Sequence, residues 1–379
     1  MHKNLEPVWV ETRQGVSIAA AAVKAAGWMA LDTEADSLHS YYHKTCLIQL
    51  TVDDANFIID PLAMEPEDLG LLWGVVEDPQ IPILMHGSDY DIRVLDRDYS
   101  TRIRGLVDTQ IMAQILGEPK TGLAALLEKE FNVTLDKKHQ RADWGKRPLT
   151  PSQVAYAAAD TAYLQGLARL LQKRLEDLDR WDWAVEEFRR LEKVRHRASE
   201  PNPLAFERVK GVRALRGEAR DRAFSLFEWR EGEAQRLDIP PFKVLGNKTL
   251  VEMADVPPES KSELAKVHGI GPRFARRWGD RVLRTIHQPI GAPQWKKTPR
   301  SPEPGAKVVR RLKRIAAVRD VIAVELAIEP GLLCAKNSLL SVATSQPRCA
   351  TIADLDAAGL HGWRLEVLGQ KFLEALADE

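Results

Sequence analysis

Several features of extracellular, membrane and disordered proteins are rare or lacking in this sequence. Only three cysteines occur in 379 residues, and none has CxxC spacing. This excludes a disulfide framework and a cysteine-rich zinc site. No apolar run approaches the ~20 residues of a membrane span, and the N-terminus shows no signal-peptide core. We therefore expect a soluble cytoplasmic protein without a membrane partner.

Charge of one sign is also lacking, because the formal net charge is zero. Any basic surface must arise from local clustering. The chain is otherwise ordinary in composition, with 44% hydrophobic and 28% charged residues, which argues against a disordered protein.

The length of the chain predicts two or three domains. Two proline-containing segments are candidate boundaries: Glu200–Pro203, and Pro289–Pro304 with its five prolines, which cannot form one continuous helix. We predict domains at residues 1–200, 205–288 and 305–379.

The first predicted domain, residues 1–200, alternates apolar runs with helical patterns. The runs predict strands at 28–31, 46–52, 57–59 and 81–85, with a weaker one at 105–107. Helices are predicted at 66–77, 88–97, 108–116, 122–131 and 151 to about 176. The polar turn Asp53-Asp54 suggests an antiparallel hairpin. We expect an α/β fold, a mixed sheet flanked by helices.

The strand signal disappears after residue 200, and a weak internal repeat follows. Gly246–Leu250 lies over Lys336–Leu340 at an offset of about 90 residues, and Trp278-Gly279 lies over Leu368-Gly369. We interpret 205–288 (the first module) and 305–379 (the second module) as two all-α copies of one unit. Chance similarity between small helical bundles is the alternative.

Two acids follow the first apolar run closely. Asp32 and Glu34 are two residues apart, so on a strand they point to the same face. Two carboxylates this close repel each other unless a cation lies between them, and a hard divalent ion is the simplest partner. Solvated turn residues are the alternative.

Three further residues have comparable positions. Asp91 is predicted in the first turn of a helix with Ser88 as its N-cap, where an acid also favourably opposes the helix dipole. Tyr156 and Asp160 are four residues apart, which places both on one face of a helix. An amphipathic helix with a buried tyrosine and a surface acid is the alternative for this pair.

The three segments together resemble the three exonuclease motifs of the DEDD family, tyrosine subtype. The first motif is Asp32-Thr33-Glu34, the second is His86–Asp91 and the third is Tyr156–Asp160. Residues 135–153 resemble the approach to the third motif in ribonuclease D, although Ala142 stands where the family often has serine. The resemblance covers roughly residues 8–200, and the two modules resemble HRDC domains.

This resemblance implies an RNase H-like fold and a 3′-5′ exoribonuclease that uses two divalent cations, Mg²⁺ or Mn²⁺. Asp32 would bridge both ions, Glu34 and Asp160 would hold the one that generates hydroxide, and Asp91 would help to hold the other. Tyr156 would orient the attacking water, since a phenol with a pKa of ~10 is a poor base at neutral pH. The implied substrates are 3′ ends of structured RNA such as tRNA precursors.

Candidate substrate contacts lie in two places. Lys137, Gln140 and Arg141 precede the third motif and could reach phosphates, whereas His86 is expected to be a packed structural histidine. From Ile270 to Arg319, basic residues outnumber acidic ones by fourteen to two, which is typical of a phosphate-binding surface. The basic residues of the first module that we single out are Arg273, Arg276 and Arg277.

Two other functions stay open at this point. Proofreading DNA exonucleases use the same four acids, so a DNA substrate is the first alternative. The GxxxxGK[ST] loop of a helicase does not occur in this sequence. A nucleic-acid-binding protein with an inactive nuclease domain is the second alternative, and the intact set of five residues argues against it.

The first module carries more basic residues near its Gly-rich turn, so we expect it to contribute more to RNA affinity.

Overall fold

The computed structural model describes residues 6–136, 138–197, 205–294 and 304–377. The described residues form two compact units. One takes in the described residues of 1–34, 45–196 and 299–379, and the other those of 35–44 and 197–298. None of the helices in the described ranges combines the length and apolar character needed to cross a bilayer.

A six-stranded mixed sheet forms the centre of the N-terminal part. The strands, in chain order, are β1 (Val8–Val10), β2 (Met29–Ala35), β3 (Thr45–Val52), β4 (Ala55–Ile59), β5 (Ile83–Met85) and β6 (Leu106–Asp108). Their order across the sheet is β1-β4-β3-β2-β5-β6. β3 and β4 form the predicted antiparallel hairpin, while β1 pairs with β4, β2 with β5, and β5 with β6 in parallel.

Helices flank this sheet, which confirms the predicted α/β fold. They are α1 (Arg13–Ala26), α2 (Gly70–Val76), α3 (Asp89–Tyr99), α4 (Thr109–Ile115), α5 (Leu123–Phe131), α6 (Pro151–Ala162), α7 (Leu164–Glu176) and α8 (Trp181–Leu191). All eight residues of β3 are buried, as expected for a central strand covered on both faces.

The structure corrects several predicted elements. β2 continues to Ala35 rather than ending at Leu31. The long helix predicted from 151 is two helices that meet at Tyr163, and 66–77 begins with a 3₁₀ turn before α2. β1, α1 and α8 were not predicted.

Ten α-helices of the described residues form the two modules. The first contains α9 (Gly217–Leu237), α10 (Pro241–Val244), α11 (Asn247–Asp255), α12 (Lys261–Leu264) and α13 (Pro272–His287). The second contains α14 (Ala306–Leu326), α15 (Pro330–Leu333), α16 (Lys336–Thr344), α17 (Ile352–Ala357) and α18 (Gly362–Ala377). Each module has its own apolar core.

The helices of the two modules correspond one to one. The first helix of each has 21 residues, the second 4, the third 9 and the last 16, and only the fourth differs, with 4 residues against 6. The turn before the last helix also matches, because Gly269 and Gly359 both have positive φ. The two modules therefore share an order of helices, and their origin as two copies of one unit stays a prediction.

Candidate active site

The acids singled out from the sequence line one cavity of about 410 Å³. Asp32 and Glu34 come from β2, Asp91 from α3, and Asp160 together with Tyr156 from α6. Three elements that are distant in sequence therefore meet at one place. No lysine or arginine lies among the described residues that line the cavity.

The first pair of acids lies within β2, not beyond its end as the sequence suggested. The expected alternation holds, because Asp32 and Glu34 both line the cavity and are only partly buried. Thr33, between them, is 8% exposed. Its hydroxyl donates a hydrogen bond to Oδ1 of Asp91, which ties β2 to the start of α3.

The turn before α3 is fixed by a buried carboxylate that the sequence did not reveal. Asp108, with no exposed surface, accepts hydrogen bonds from the backbone N–H of Gly87 at 3.0 Å and of Ser88 at 2.8 Å. Ser88 occupies the predicted N-cap position of α3, but its hydroxyl donates to Asp108 instead of accepting from the helix. Asp91 follows in the first turn, as predicted, and is 7% exposed.

Helix α6 is pinned to the sheet on both sides of Asp160. The side-chain amide of Asn56 donates to the carbonyl of Ala158 at 2.9 Å. One turn later, the hydroxyls of Thr51 and Thr161 lie 2.7 Å apart. Asn56, Thr51 and Thr161 are all buried, so the height of Asp160 above the sheet is set by these contacts.

The segment before α6 supports Tyr156 from the side. Trp144 is buried and its ring centre lies 6.0 Å from that of Tyr156. The guanidinium of Arg147 donates to both carboxylate oxygens of Asp60, at 2.6 and 2.7 Å, and to the carbonyl of Trp144 at 2.7 Å. This bidentate ion pair holds the approach to the third motif against β4.

Burial raises the pKa values of all four acids, and repulsion from the other acids adds to the rise at Asp32 and Glu34. Burial raises the pKa of Glu34 to about 9, and Asp160 and Asp91 add to the rise. Burial also raises the pKa of Asp160 to about 7 and that of Asp91 to about 6. The pKa of Asp32 lies well above its usual range because of burial and the other three acids. These raised pKa values fit a lining whose described residues include no lysine or arginine side chain to stabilise the ionised acids.

Burial also raises the pKa of Tyr156, and the neighbouring acids raise it further. Its phenol therefore stays protonated at neutral pH. The hydroxyl hydrogen-bonds to Asp160 and opposes the rise in that carboxyl's pKa. A group in this state can donate a hydrogen bond and orient a neighbour, but it is a poor base.

The donor chemistry of the cavity fits hard divalent cations. Carboxylate oxygens are the ligands that Mg²⁺ and Mn²⁺ prefer, and a cation would stabilise the ionised form that burial disfavours at all four acids. In the described ranges, no three His, Cys, Asp or Glu side chains stand ready to hold one ion as they are placed. The acids share a cavity without forming a preassembled cage.

The predicted substrate-contact residues lie in different places. Gln140 lines the cavity, Arg141 is exposed, and Lys137 lies outside the described residues. His86 also lines the cavity, and its Nδ1 lies 2.9 Å from the Thr109 hydroxyl. The three basic residues of α13 are exposed: Arg273, Arg276 and Arg277.

Sequence reasoning missed the residues that fix the acids in place, above all Thr33, Asp108 and Asn56. It also missed Gln110, which lines the cavity. Only one local signal was readable: Asp108 precedes a helix and accepts from the N–H of Gln110 at 2.8 Å, as an N-cap does. Its second role, toward Gly87 and Ser88, depends on a contact across about twenty residues.

Comparison with known families gives two matches. A family described as 3′-5′ exonuclease matches residues 7–176, which include all five residues of the cavity named above. An HRDC domain matches residues 220–286, within the first module.

Curated proteins similar to this chain include two named ribonuclease D. The protein from Granulibacter bethesdensis is 30% identical over 97% of this chain and 92% of its own length. The protein from Pseudomonas paraeruginosa is 31% identical over 92% of each.

Two solved structures are also similar. Escherichia coli RNase D, described as an exoribonuclease involved in structured RNA processing, has a TM-score of 0.66 and 25% identity, covering 98% of this chain and 99% of that one. The catalytic core of RRP6 from Trypanosoma brucei, mutant C496S, has a TM-score of 0.69 and 26% identity, covering 76% and 82%.

Proposed function

This chain belongs to the ribonuclease D family of 3′-5′ exoribonucleases, and we propose that the cavity around Asp32 is its active site. The observation that carries the proposal is the convergence of four carboxylates from three separate elements on one cavity. The described lining adds no lysine or arginine side chain, and the neighbouring acids raise the pKa values of Asp32 and Glu34. Such a site is costly for the fold unless it binds cations.

Exonucleases of this family depend on divalent metal ions. We propose that Asp32, Glu34, Asp91 and Asp160 hold two of them, Mg²⁺ or Mn²⁺. When bound, such a pair activates water and stabilises the leaving oxygen of a phosphodiester. By resemblance to the family, Asp32 would help to hold both ions, Glu34 and Asp160 would hold the ion that supplies the attacking water, and Asp91 would help to hold the other.

Tyr156 acts beside these acids as a positioning group. Its protonated hydroxyl can donate to Asp160 or to an oxygen of the attacking water, and it does not remove a proton at neutral pH. Gln140, which lines the same cavity, together with Lys137 and Arg141 supplies contacts for the RNA end.

The substrate that fits this proposal is the 3′ end of a structured RNA, such as a tRNA precursor. Support comes from the E. coli relative, whose description names structured RNA processing. The exposed arginines Arg273, Arg276 and Arg277 of the first module would bind the phosphate backbone. The cytoplasmic location predicted from the sequence stays a prediction.

The test uses two aspartates in the same turn of α3. Asp91 is buried and lines the cavity, whereas Asp89 is exposed and pairs with Arg93 on the surface at 2.8 Å. We expect Asp91→Asn to lower 3′ trimming of a tailed RNA hairpin by at least about a hundredfold, with Asp89→Asn close to wild type. Asp32→Asn and Asp160→Asn should behave as Asp91→Asn does.

A time course on that hairpin, with and without EDTA, reports polarity, metal dependence and stopping point together. A DNA strand of the same sequence separates this reading from a DNA exonuclease. Full activity of Asp91→Asn or Asp160→Asn in clean magnesium buffer would refute the proposal, and so would trimming that EDTA does not affect.

A further inference from the structure

The second module packs against the N-terminal part through the start of α18. The indole of Trp363 stacks on that of Trp183 in α8, with ring centres 4.7 Å apart and planes 12° apart. The backbone N–H of Trp363 donates to Glu186 at 2.9 Å and its Nε1 donates to Glu187 at 3.1 Å. Both glutamates belong to α8, so the N-terminal end of α18 packs against one face of α8.

An ion pair and an apolar contact complete this docking. Arg364 donates to the buried carboxylate of Glu187 and, through Nε, to the carbonyl of Leu332 at 2.9 Å. The side chain of Leu332 packs against the apolar core of the N-terminal part. Glu187 is only 3% exposed and also pairs with Arg190 of its own helix, so loss of Arg364 would remove one of the two cations that offset its buried charge.

A second contact reaches the loop between α4 and α5. Gly117 has a φ of 76°, and a Cβ atom there would collide with the carbonyl oxygen of Ala327. Beside this close approach, a cavity of about 680 Å³ is lined by Gly117, Glu118 and Thr121 on one side and by the 323–332 segment of the second module on the other.

The same loop ends at the active-site cavity. Thr121 faces the second module, and the next residue, Gly122, lines the cavity of the four acids together with Leu123. Gln110, at the start of α4, lines that cavity too, whereas Gln114, one turn later, faces the second module. Helix α4 and the start of α5, on either side of this loop, therefore connect the surface that faces the second module with the wall of the active-site cavity over a few residues.

We propose that the second module is a positioning element of the active site: by seating the loop 116–122, it holds the cavity wall formed by Gln110, Gly122 and Leu123. The inference rests on the proposed function, since it takes that cavity to be catalytic. It gives the two modules different tasks. The first leaves the N-terminal end of its last helix exposed, and the second uses the equivalent end to dock.

The test compares two glycines with left-handed backbone. Gly27 has a φ of 70°, and a Cβ atom added there would meet no atom of the described residues within 4 Å, whereas Gly117 has a φ of 76° and faces Ala327. Gly117→Ala and Gly27→Ala therefore share the backbone cost, and only the first strains the docking. In the full-length protein, we expect Gly117→Ala to lower kcat for 3′ trimming about tenfold or more, and Gly27→Ala to leave it within about twofold.

The Kd for the same RNA, measured in EDTA so that hydrolysis is blocked, should stay within about twofold of wild type in both variants. If the second module only bound RNA, the opposite result would be expected, namely a weaker Kd with an unchanged kcat. An unchanged kcat in Gly117→Ala, or a loss confined to Kd, overturns the proposal.

A variant on the other side of the interface covers the case in which Gly117→Ala does not fold. Glu187→Gln keeps the shape of the docking contact and removes its charge, and it should also lower kcat without changing Kd. Asp91→Asn distinguishes a failure of the proposed function from a failure of the proposed role of the second module. If Asp91→Asn retains activity, the proposed function fails. If it is inactive while Gly117→Ala and Glu187→Gln turn over normally, only the role of the second module fails.

Discussion

At the scale of single residues, the acids of the cavity are held by different means. Asp32 and Glu34 are fixed by the backbone of β2. Asp91 is fixed by a hydrogen bond from Thr33 and by the turn that Asp108 organises. Asp160 is fixed by the contacts of α6 with the sheet. The acids are therefore positioned by separate sets of contacts, with the hydrogen bond from Thr33 linking β2 to α3.

The raised pKa values lead to a prediction about metal-free stability. The pKa values of Asp91, Asp160 and Glu34 are about 6, 7 and 9 in the folded protein, whereas unfolded carboxyls titrate near pH ~4. Between these limits the folded state holds more protons than the unfolded state. Its stability must therefore fall as pH rises through that window.

Glu34→Gln isolates one of these groups, because the amide stays neutral at every pH. In EDTA, we expect the Tm of Glu34→Gln minus that of wild type to increase steadily from pH 6 to pH 9. In saturating Mg²⁺ the order should reverse at high pH, since ionised acids bind the metal and the bound metal stabilises the fold. A difference in Tm that stays constant with pH in EDTA would show that Glu34 ionises normally.

At the scale of elements, the sequence predicted those whose signals are local. Apolar runs located β3, β4 and β5, and Asp91 fell in the first turn of a helix as expected. The spacing of Tyr156 and Asp160 correctly placed both on one helix. In each case the pattern of a few neighbouring residues determines the structure.

Elements that depend on distant partners were missed or misplaced. β1 has three residues and exists because it pairs with β4, about fifty residues away. The predicted end of β2 was too early, because acids such as Asp32 and Glu34 are typical of turns and only the sheet and the cavity show that they belong to the strand. α1 is different: Thr12 caps its start and Gly27 its end, so its local signals were present and were not used.

The site could be predicted to the same extent. The five residues predicted from motifs line one cavity, but the supports Thr33, Asp108 and Asn56 contact partners 20 to 102 residues away. No local pattern encodes a contact of that kind. The break at Tyr163 between α6 and α7 has no signal in the sequence that we can name.

At the scale of the whole molecule, the two helical modules have the same order of helices but differ in charge and in contacts. The last helix of the first module presents Arg273, Arg276 and Arg277 to solvent. The last helix of the second module begins at Gly362, and its next two residues, Trp363 and Arg364, contact Glu186 and Glu187. The difference predicts that RNA affinity depends mainly on the first module.

A comparison with equal charge tests this division. Replacing Arg273, Arg276 and Arg277 by alanine should weaken RNA binding for all sequences and reduce the slope of log K against log salt by about 2, since each phosphate contact to single-stranded RNA contributes ~0.7. Replacing Lys307, Arg310 and Lys313, which are exposed in α14, removes the same charge and should have a smaller effect. Equal losses in the two triple variants would contradict the division.

The central claim is that the carboxylates of β2, α3 and α6 form one metal centre. The most direct measurement is a crystal structure of the wild-type protein soaked in Mn²⁺, with the ions located by anomalous scattering. We predict two ions about 3.5–4 Å apart, bound by oxygens of Asp32, Glu34, Asp91 and Asp160. Anomalous peaks elsewhere in an ordered protein, with these four carboxylates bare, would contradict the account.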